Sequence, residues 1–129
     1  MLGKFTSALY NLHLKCLALV RPHRNVVSHF ESAYAEHGNE LWIAMEYMDG
    51  GSLVDVLKKN MGRITEEQIA RISLDVLQGL RHLHQCGLAH NGLKESKILF
   101  NMRGEVKIGA STRLSFDSPS CTTQRHAFL

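Results

Sequence analysis

Thr65 to Gly87 reads TEEQIARISLDVLQGLRHLHQCG, and this stretch decides the fold. Its apolar residues recur at three- and four-residue spacing, which predicts a helix with one buried face formed by Ile69, Ile72, Val76, Leu77, Leu80 and Leu83. Thr65 and Gln68 have the spacing of a capping box, and Glu66 and Glu67 follow where the helix dipole favours anions. Gly87 is a natural helix stop. We therefore expect one long helix between Thr65 and Gly87.

Two runs rich in β-branched and aromatic residues lie upstream of this helix, NVVSHF from Asn25 and ELWIAMEY up to Tyr47. The segment between them carries turn residues at positions 36–39, so the two runs predict a β-hairpin. We assign Trp42 and Tyr47 to packing within this hairpin rather than to base stacking, because no basic stripe accompanies them.

The sequence between this hairpin and the long helix, MDGGSLVDVLKKN, predicts a short helix. Ser52 is a candidate N-cap, Asp55 stands three residues later, and the apolar residues beyond the cap are Leu53, Val54 and Leu57. Downstream of the long helix, KILF and EVKI flank the turn Asn101–Gly104, which predicts a second hairpin. The predicted order is hairpin, short helix, long helix, loop and hairpin.

The two ends of the sequence are less regular. The first twenty residues contain apolar side chains that would form a packed helix, namely Phe5, Leu12, Leu14, Leu17 and Val20. Their longest uninterrupted apolar run, Cys16 to Val20, is too short for a signal peptide or a membrane span, so we expect no membrane partner. The last stretch, Ser111 to Leu129, has no periodicity and contains SPSCTT, which predicts a mobile tail.

Composition limits the class of protein. A chain of 129 residues with 44% apolar content can bury one core. Its net charge of +3 includes no basic block, so it lacks the electrostatic footprint of a nucleic-acid binder and we expect no such partner. The three cysteines form no CxxC and cannot all pair with one another, which suits a reducing compartment. We therefore expect a cytoplasmic protein, with a nuclear location left open.

Four strings carry a family resemblance: HRNVV, ELWIAMEYMDGGSLVDVL, EEQIARISLDVLQGLRHLH and GLAHNGLKESKILF. Together they resemble serine/threonine protein kinases of the sterile-twenty group, closest to the PAK-like branch, from Arg21 to Ile108. The resemblance implies an α+β fold that is a partial, truncated protein-kinase-like domain: the end of the small lobe, the hinge, the first large-lobe helices and the catalytic-loop hairpin. It divides the chain into a non-matching segment 1–20, a kinase-like domain 21–110 and a degenerate activation-segment tail 111–129.

The resemblance also implies a nucleotide cleft. Met45 would be the gatekeeper, the backbone of the hinge would hydrogen-bond adenine, and apolar side chains would contact its ring, which gives as candidate cofactor-binding residues Met45, Glu46, Tyr47, Met48, Leu53 and Leu99. The alternative is that Leu53 and Leu99 are core residues without a ligand.

The catalytic loop departs from the family pattern H-R-D-x-K-x-x-N. His90 and Lys94 match, but Gly92 stands where the family has the catalytic aspartate, and Lys97 stands where it has a magnesium-binding asparagine. Ala110 replaces the aspartate of the DFG motif, the family's other metal ligand. Glycine cannot accept a proton, and a lysine ammonium has donors only. We expect no intact catalytic residue and no bound magnesium.

Other parts of the kinase pattern are missing from the sequence. No glycine-rich loop or VAIK-like strand precedes His23, and no APE follows Ala110. We predict no cofactor, although residual ATP binding without magnesium, held by Lys94 and Lys97, stays open.

Eight histidines raise the question of a metal site. His82 and His84 are two residues apart on a helix and do not share a face. No Cys/His spacing resembles a zinc site. The resemblance implies that His90 is a buried structural residue.

Three hypotheses remain. The first is an inactive pseudokinase that acts through a protein partner, with self-association through an uncovered apolar face as one form. The second is a truncated gene model of an ATP-binding serine/threonine kinase. The third is a decayed duplicate without a function.

Overall fold

The computed structural model describes residues 14–35, 40–109 and 115–116. Residues 14–19 form helix α1. The further elements, in chain order, are β1 His29–Ala35, β2 Glu40–Met45, β3 Gly51–Ser52, α2 Leu53–Lys59, α3 Glu66–Gln85, β4 Leu88–Ala89, a 3₁₀ turn Glu95–Lys97, β5 Ile98–Phe100, β6 Val106–Ile108 and β7 Ser115–Phe116. In the described part of the chain the strands form antiparallel sheets of order β1–β2, β3–β5–β6 and β4–β7. The α+β class is as predicted.

Helix α3 begins and ends as predicted. The Gln68 N–H donates to the Thr65 hydroxyl oxygen at 3.2 Å, and the Thr65 N–H donates to Gln68 Oε1 at 3.0 Å, which completes the capping box. At the other end Cys86 is the C-cap, and Gly87 adopts a φ of 73°, the left-handed conformation that glycine accepts without strain.

The predicted single buried face of α3 is only partly correct. Val76 and Leu83 are buried and Ile72 and Leu80 pack against the core, but Ile69 and Leu77 are 52% and 62% exposed. Helix α3 packs on β6 and β4. These strands are short, so they cover only part of the helix surface on which its apolar residues lie. A broad apolar band therefore faces outward among the described residues.

The first hairpin is confirmed, with two corrections. Strands β1 and β2 pair antiparallel, but β1 begins at His29 rather than Asn25, because Asn25 to Val27 pair instead with β6. The assignment of Trp42 and Tyr47 to hairpin packing is wrong, since their side chains are 60% and 86% exposed. The predicted turn at 36–39 lies outside the described residues.

The other elements agree with the sequence. Helix α2 starts at a capping box in which the Ser52 side chain and backbone pair with Asp55, and the second hairpin pairs Ile98 with Ile108. The predicted N-terminal helix appears as α1, with Cys16 and Leu17 buried, whereas residues 1–13 and most of 110–129 lie outside the described part. No described helix has the length and apolar character needed to cross a bilayer.

Asn25 joins β6 to α3 at the centre of the core. Its carbonyl accepts from the Ile108 N–H at 2.9 Å, and its side-chain amide donates to the Val106 carbonyl at 2.9 Å. Helix α3 passes so close that a Cβ on Gly79 would lie 2.6 Å from the Asn25 carbonyl oxygen. Only glycine allows this approach, so the sequence at position 79 sets the distance between helix and strand.

Replacing Gly79 by alanine tests this constraint. Alanine favours a helix interior by about 1 kcal/mol, but here its methyl group meets backbone, and we expect a net destabilisation of about 1–3 kcal/mol. Urea unfolding followed by circular dichroism measures the change. Gln78→Ala, at the exposed neighbouring position, is the matched control and should change stability little. A Gly79→Ala chain as stable as the wild type would contradict the close approach.

Two histidines fix the segment before Asn25 onto α3. The rings of His23 and His82 stack with centroids 4.5 Å apart and planes 16° from parallel. The Asn25 N–H donates to His23 Nδ1 at 3.1 Å, so this nitrogen is unprotonated, and His82 Nε2 donates to the Arg21 carbonyl at 2.8 Å. Burial lowers the pKa of His23, and the neighbouring charges of His82 and Arg24 lower it further.

Stability should therefore fall on acidification. Because the folded-state pKa of His23 lies below its ordinary value of 6.5, the fold favours the neutral ring: this contribution is fully present above pH 6.5 and is lost as pH falls through the lowered pKa. We expect His23→Asn, whose oxygen accepts the same bond without titrating, to lose less stability than the wild type from about pH 7.5 to about pH 5. Chemical denaturation across this range measures the difference. His84→Asn is the control, and parallel wild-type and His23→Asn curves would contradict the proposed titration.

Candidate functional site

The second hairpin brings two functional segments together. Strand β5 pairs with β3, placing Leu99 opposite Ser52, and with β6, placing Leu99 opposite Lys107. The connection 46–48 that follows β2 lies beside this sheet, because Glu46 pairs with Lys107 of β6. On the same hairpin, the Gly109 N–H donates to the Lys97 carbonyl at 2.7 Å, which attaches the loop 90–97 to the end of β6.

The predicted adenine contacts differ in burial. Met48 is buried, Leu53 and Leu99 are half-buried, and Met45 and Tyr47 are 43% and 86% exposed. The Glu46 N–H donates to the Ser28 carbonyl at 2.9 Å and the Met48 carbonyl accepts from the Gly51 N–H at 3.3 Å. Within the described residues, the Glu46 carbonyl and the Met48 N–H form no hydrogen bond. One acceptor and one donor of this connection are thus available to a ligand.

An ion pair that the sequence analysis missed holds this connection in place. Lys107 Nζ lies 2.6 Å from Glu46 Oε1, and the Ser28 N–H donates to Glu46 Oε2 at 3.1 Å. Burial raises the pKa of Glu46, but the hydrogen bonds from Lys107 and Ser28 outweigh it and hold this pKa below its ordinary value. The available signal was a lysine between Val106 and Ile108 in an apolar strand, where a charge needs a partner.

His90 has the buried structural position expected of it. It is 3% exposed, and its Nε2 donates to the Gly109 carbonyl at 2.9 Å, while Nδ1 is buried without a partner among the described residues. Burial lowers the pKa of His90; the bond to Gly109 opposes this shift, and the charge of Lys97 adds to it. A neutral His90 therefore ties the start of the loop to the end of β6.

The predicted departures from the kinase pattern fall on this loop. Gly92 is half-buried, Lys94 is exposed, and Lys97 is half-buried at the end of the 3₁₀ turn. Ala110 lies outside the described residues. No group of three or more His, Cys, Asp or Glu side chains among the described residues could hold a metal ion. The loop presents two lysines where a magnesium site would need oxygen ligands.

The larger concavity lies away from this cleft. A shallow, open depression of about 500 Å³ lies on the surface of α3 beside Leu77, Leu80, Arg81, His84 and Gln85. Near the cleft, by contrast, the space beside His90 and Gly109 measures only about 20 Å³.

Removing the lysine of the ion pair tests its role. We expect Lys107→Met to destabilise the fold by about 1–3 kcal/mol, because it leaves the Glu46 carboxylate partly desolvated without its partner. Urea unfolding near pH 7 is suitable, since the stabilisation from the lowered Glu46 pKa is lost only as pH falls below 4.5.

The control for this experiment is Arg103→Met, which removes the exposed pair between Arg103 and Glu105 on the same hairpin. Exposed pairs contribute at most about 1 kcal/mol. Equal losses in the two variants would show that the buried pair has no special role.

Comparison with known proteins identifies a family whose sequence model matches most of this chain. The protein kinase domain model matches residues 10–122. Over 86 residues, or 67% of this chain, the sequence is 45% identical to serine/threonine-protein kinase STE20 of Yarrowia lipolytica and covers 7% of it. Over the same length it is 45% identical to serine/threonine-protein kinase SMU1 of Mycosarcoma maydis, covering 11%, and 44% identical to serine/threonine-protein kinase pakA of Talaromyces marneffei, covering 13%. The chain thus spans a small part of the length of each relative.

Proposed function

Because the chain belongs to the protein kinase domain family, we propose that it is a serine/threonine-kinase-related protein that transfers no phosphate and acts by binding another protein. Phosphoryl transfer depends on positioning and on metal ions that neutralise phosphate charge, so the residues that hold those ions decide the question.

Lys97 carries this proposal. It stands at the position of a metal-binding asparagine, it is half-buried, and its carbonyl is bonded to Gly109. Burial lowers the pKa of His90, and the positive charge of Lys97 lowers it further. A cation in this place repels magnesium. Gly92 and Ala110 remove the base and the second metal ligand as well.

The size of these losses supports an inactive site. Loss of a general base typically costs about 10²- to 10⁴-fold in rate. Loss of metal ions removes several kcal/mol of charge stabilisation in addition. Together they would lower transfer to the background rate.

A phosphotransfer assay tests the proposal. We expect the purified chain, supplied with magnesium and labelled ATP, to label neither itself nor a basic test protein above a heat-denatured control. A catalytically complete PAK-like kinase in parallel shows that the assay works. Transfer above the denatured control would contradict the proposal.

A second candidate function is nucleotide binding without metal. The Glu46 carbonyl and the Met48 N–H, which have no hydrogen bond to any described residue, support it, because they would offer an acceptor and a donor to an adenine edge. Lys94 and Lys97 would supply positive charge near the phosphates.

Thermal melting with ATP tests this candidate. A ligand at about 100 times its dissociation constant stabilises a protein by about 2.7 kcal/mol. We expect ATP to raise the melting temperature equally with magnesium and with EDTA, and Lys97→Met to reduce the shift. A shift that needs magnesium, or no shift at all, would contradict metal-free binding, and the second result would leave the protein-binding proposal standing.

A further inference from the structure

A small internal cavity lies between helix α1 and the start of the loop 90–97. It measures about 20 Å³, and most of its lining is apolar, including Leu17, Val26, Val27, Leu83 and Ile108. All five of these side chains are buried. The cavity therefore belongs to the interior of the described fold and not to its surface.

One buried polar atom among the lining residues has no hydrogen-bond partner. His90 lines the cavity and is 3% exposed, and its Nδ1 forms no hydrogen bond within the described part of the chain. Its Nε2 donates to the Gly109 carbonyl at 2.9 Å, so a neutral ring carries its proton on Nε2 and Nδ1 is an acceptor. Burial lowers the pKa of His90, which favours this neutral form. Because a buried acceptor without a donor destabilises a fold, Nδ1 requires a donor inside the cavity.

The size and chemistry of the cavity decide which donor fits. A water molecule needs about 10–15 Å³, so a cavity of about 20 Å³ admits one water and no larger ligand. A metal cation does not fit, because the described lining contains no carboxylate and the positive charge of Lys97 acts on the same ring. Water can donate to Nδ1 and still accept or donate elsewhere, so it matches both the volume and the unpaired nitrogen.

We propose that this cavity binds one ordered water molecule, which donates a hydrogen bond to His90 Nδ1. A buried water typically contacts about three polar groups. His29 also lines the cavity, and because its Nε2 is bonded to Ser32 Oγ at 2.6 Å, its Nδ1 is the ring nitrogen that remains for the water. Gly109 supplies the third group, since its carbonyl oxygen has a second lone pair.

The water fixes the position of the proton on His90. The hydrogen bond made by one ring nitrogen of a histidine determines whether the other carries the proton. A water that donates to Nδ1 keeps the proton on Nε2, the atom that holds Gly109. The water is thus a positioning element that joins α1 and β1 to the start of the loop 90–97. This role does not depend on whether the chain transfers phosphate.

Nuclear magnetic resonance of the full chain at neutral pH tests the site. We expect the Nδ1 resonance of His90 at the position of a hydrogen-bonded neutral nitrogen, and a cross-peak from its Cε1 proton to water with the sign of a long-lived water. His84, which is exposed on α3, is the control and should show only exchange with bulk water. A resonance at the unbonded position, or the absence of a long-lived water at this ring, would overturn the proposal.

Filling the cavity is a second test. Val27→Ile adds a methyl group to the lining, and we expect it to expel the water, move the His90 Nδ1 resonance to its unbonded position and lower the melting temperature by about 4 °C or more. The matched control is Val106→Ile, because Val106 is buried but is not among the described lining residues. This control should leave the water cross-peak and the Nδ1 resonance unchanged.

A dry cavity would give the opposite result. The methyl group added by Val27→Ile would then fill empty space, raise the melting temperature and leave the His90 Nδ1 resonance where it is in the wild type. That outcome would overturn the proposal.

Discussion

The contact between Asn25, strand β6 and helix α3 is the constraint on which the rest of the structure depends. Asn25 pairs with both Val106 and Ile108 through its side chain and backbone, and the absence of a Cβ at Gly79 lets α3 close over it. The surrounding core is built on the same three segments, with Val26, Val76 and Ile108 buried together. Asn25 and Gly79, which are more than fifty residues apart in sequence, are thereby held with their backbones in contact.

Strand β6 extends from this contact to the cleft, where residues on and directly after the strand hold the cleft segments in place. Lys107 reaches Glu46 in the connection after β2, and Gly109, directly after the strand, bonds both His90 and the Lys97 backbone. Most of these contacts use backbone groups, glycine or a single ion pair, so they are independent of the residues that perform phosphoryl transfer. On the proposed function, this separation is how a kinase-like frame is retained although Gly92 and Lys97 stand in the catalytic loop.

Local signals predicted much of the fold. The capping boxes at Ser52 and Thr65 and the two hairpins follow from short-range spacing, and the structure contains them. The sequence did not predict the features that depend on long-range packing. The segment at Asn25 pairs with β6 and is not part of β1, and Leu77 faces outward because the strands beneath α3 are short. The Glu46–Lys107 pair joins residues sixty-one positions apart, a relation that no local pattern encodes. At the site, the replaced residues were visible in the sequence, but the bonds that fix their loop to Gly109 were not.

The proposed function requires that the cleft keeps its frame and binds no metal ion. The most direct test is paramagnetic broadening of amide resonances by Mn²⁺ without nucleotide, followed for residues 90–97 and Gly109. This account predicts no selective, saturable broadening in that loop, because the proposed function places the lysine ammonium of Lys97 where the family pattern has a metal-binding asparagine. Selective broadening centred on Lys97 and Gly109, removed by EDTA, would contradict it.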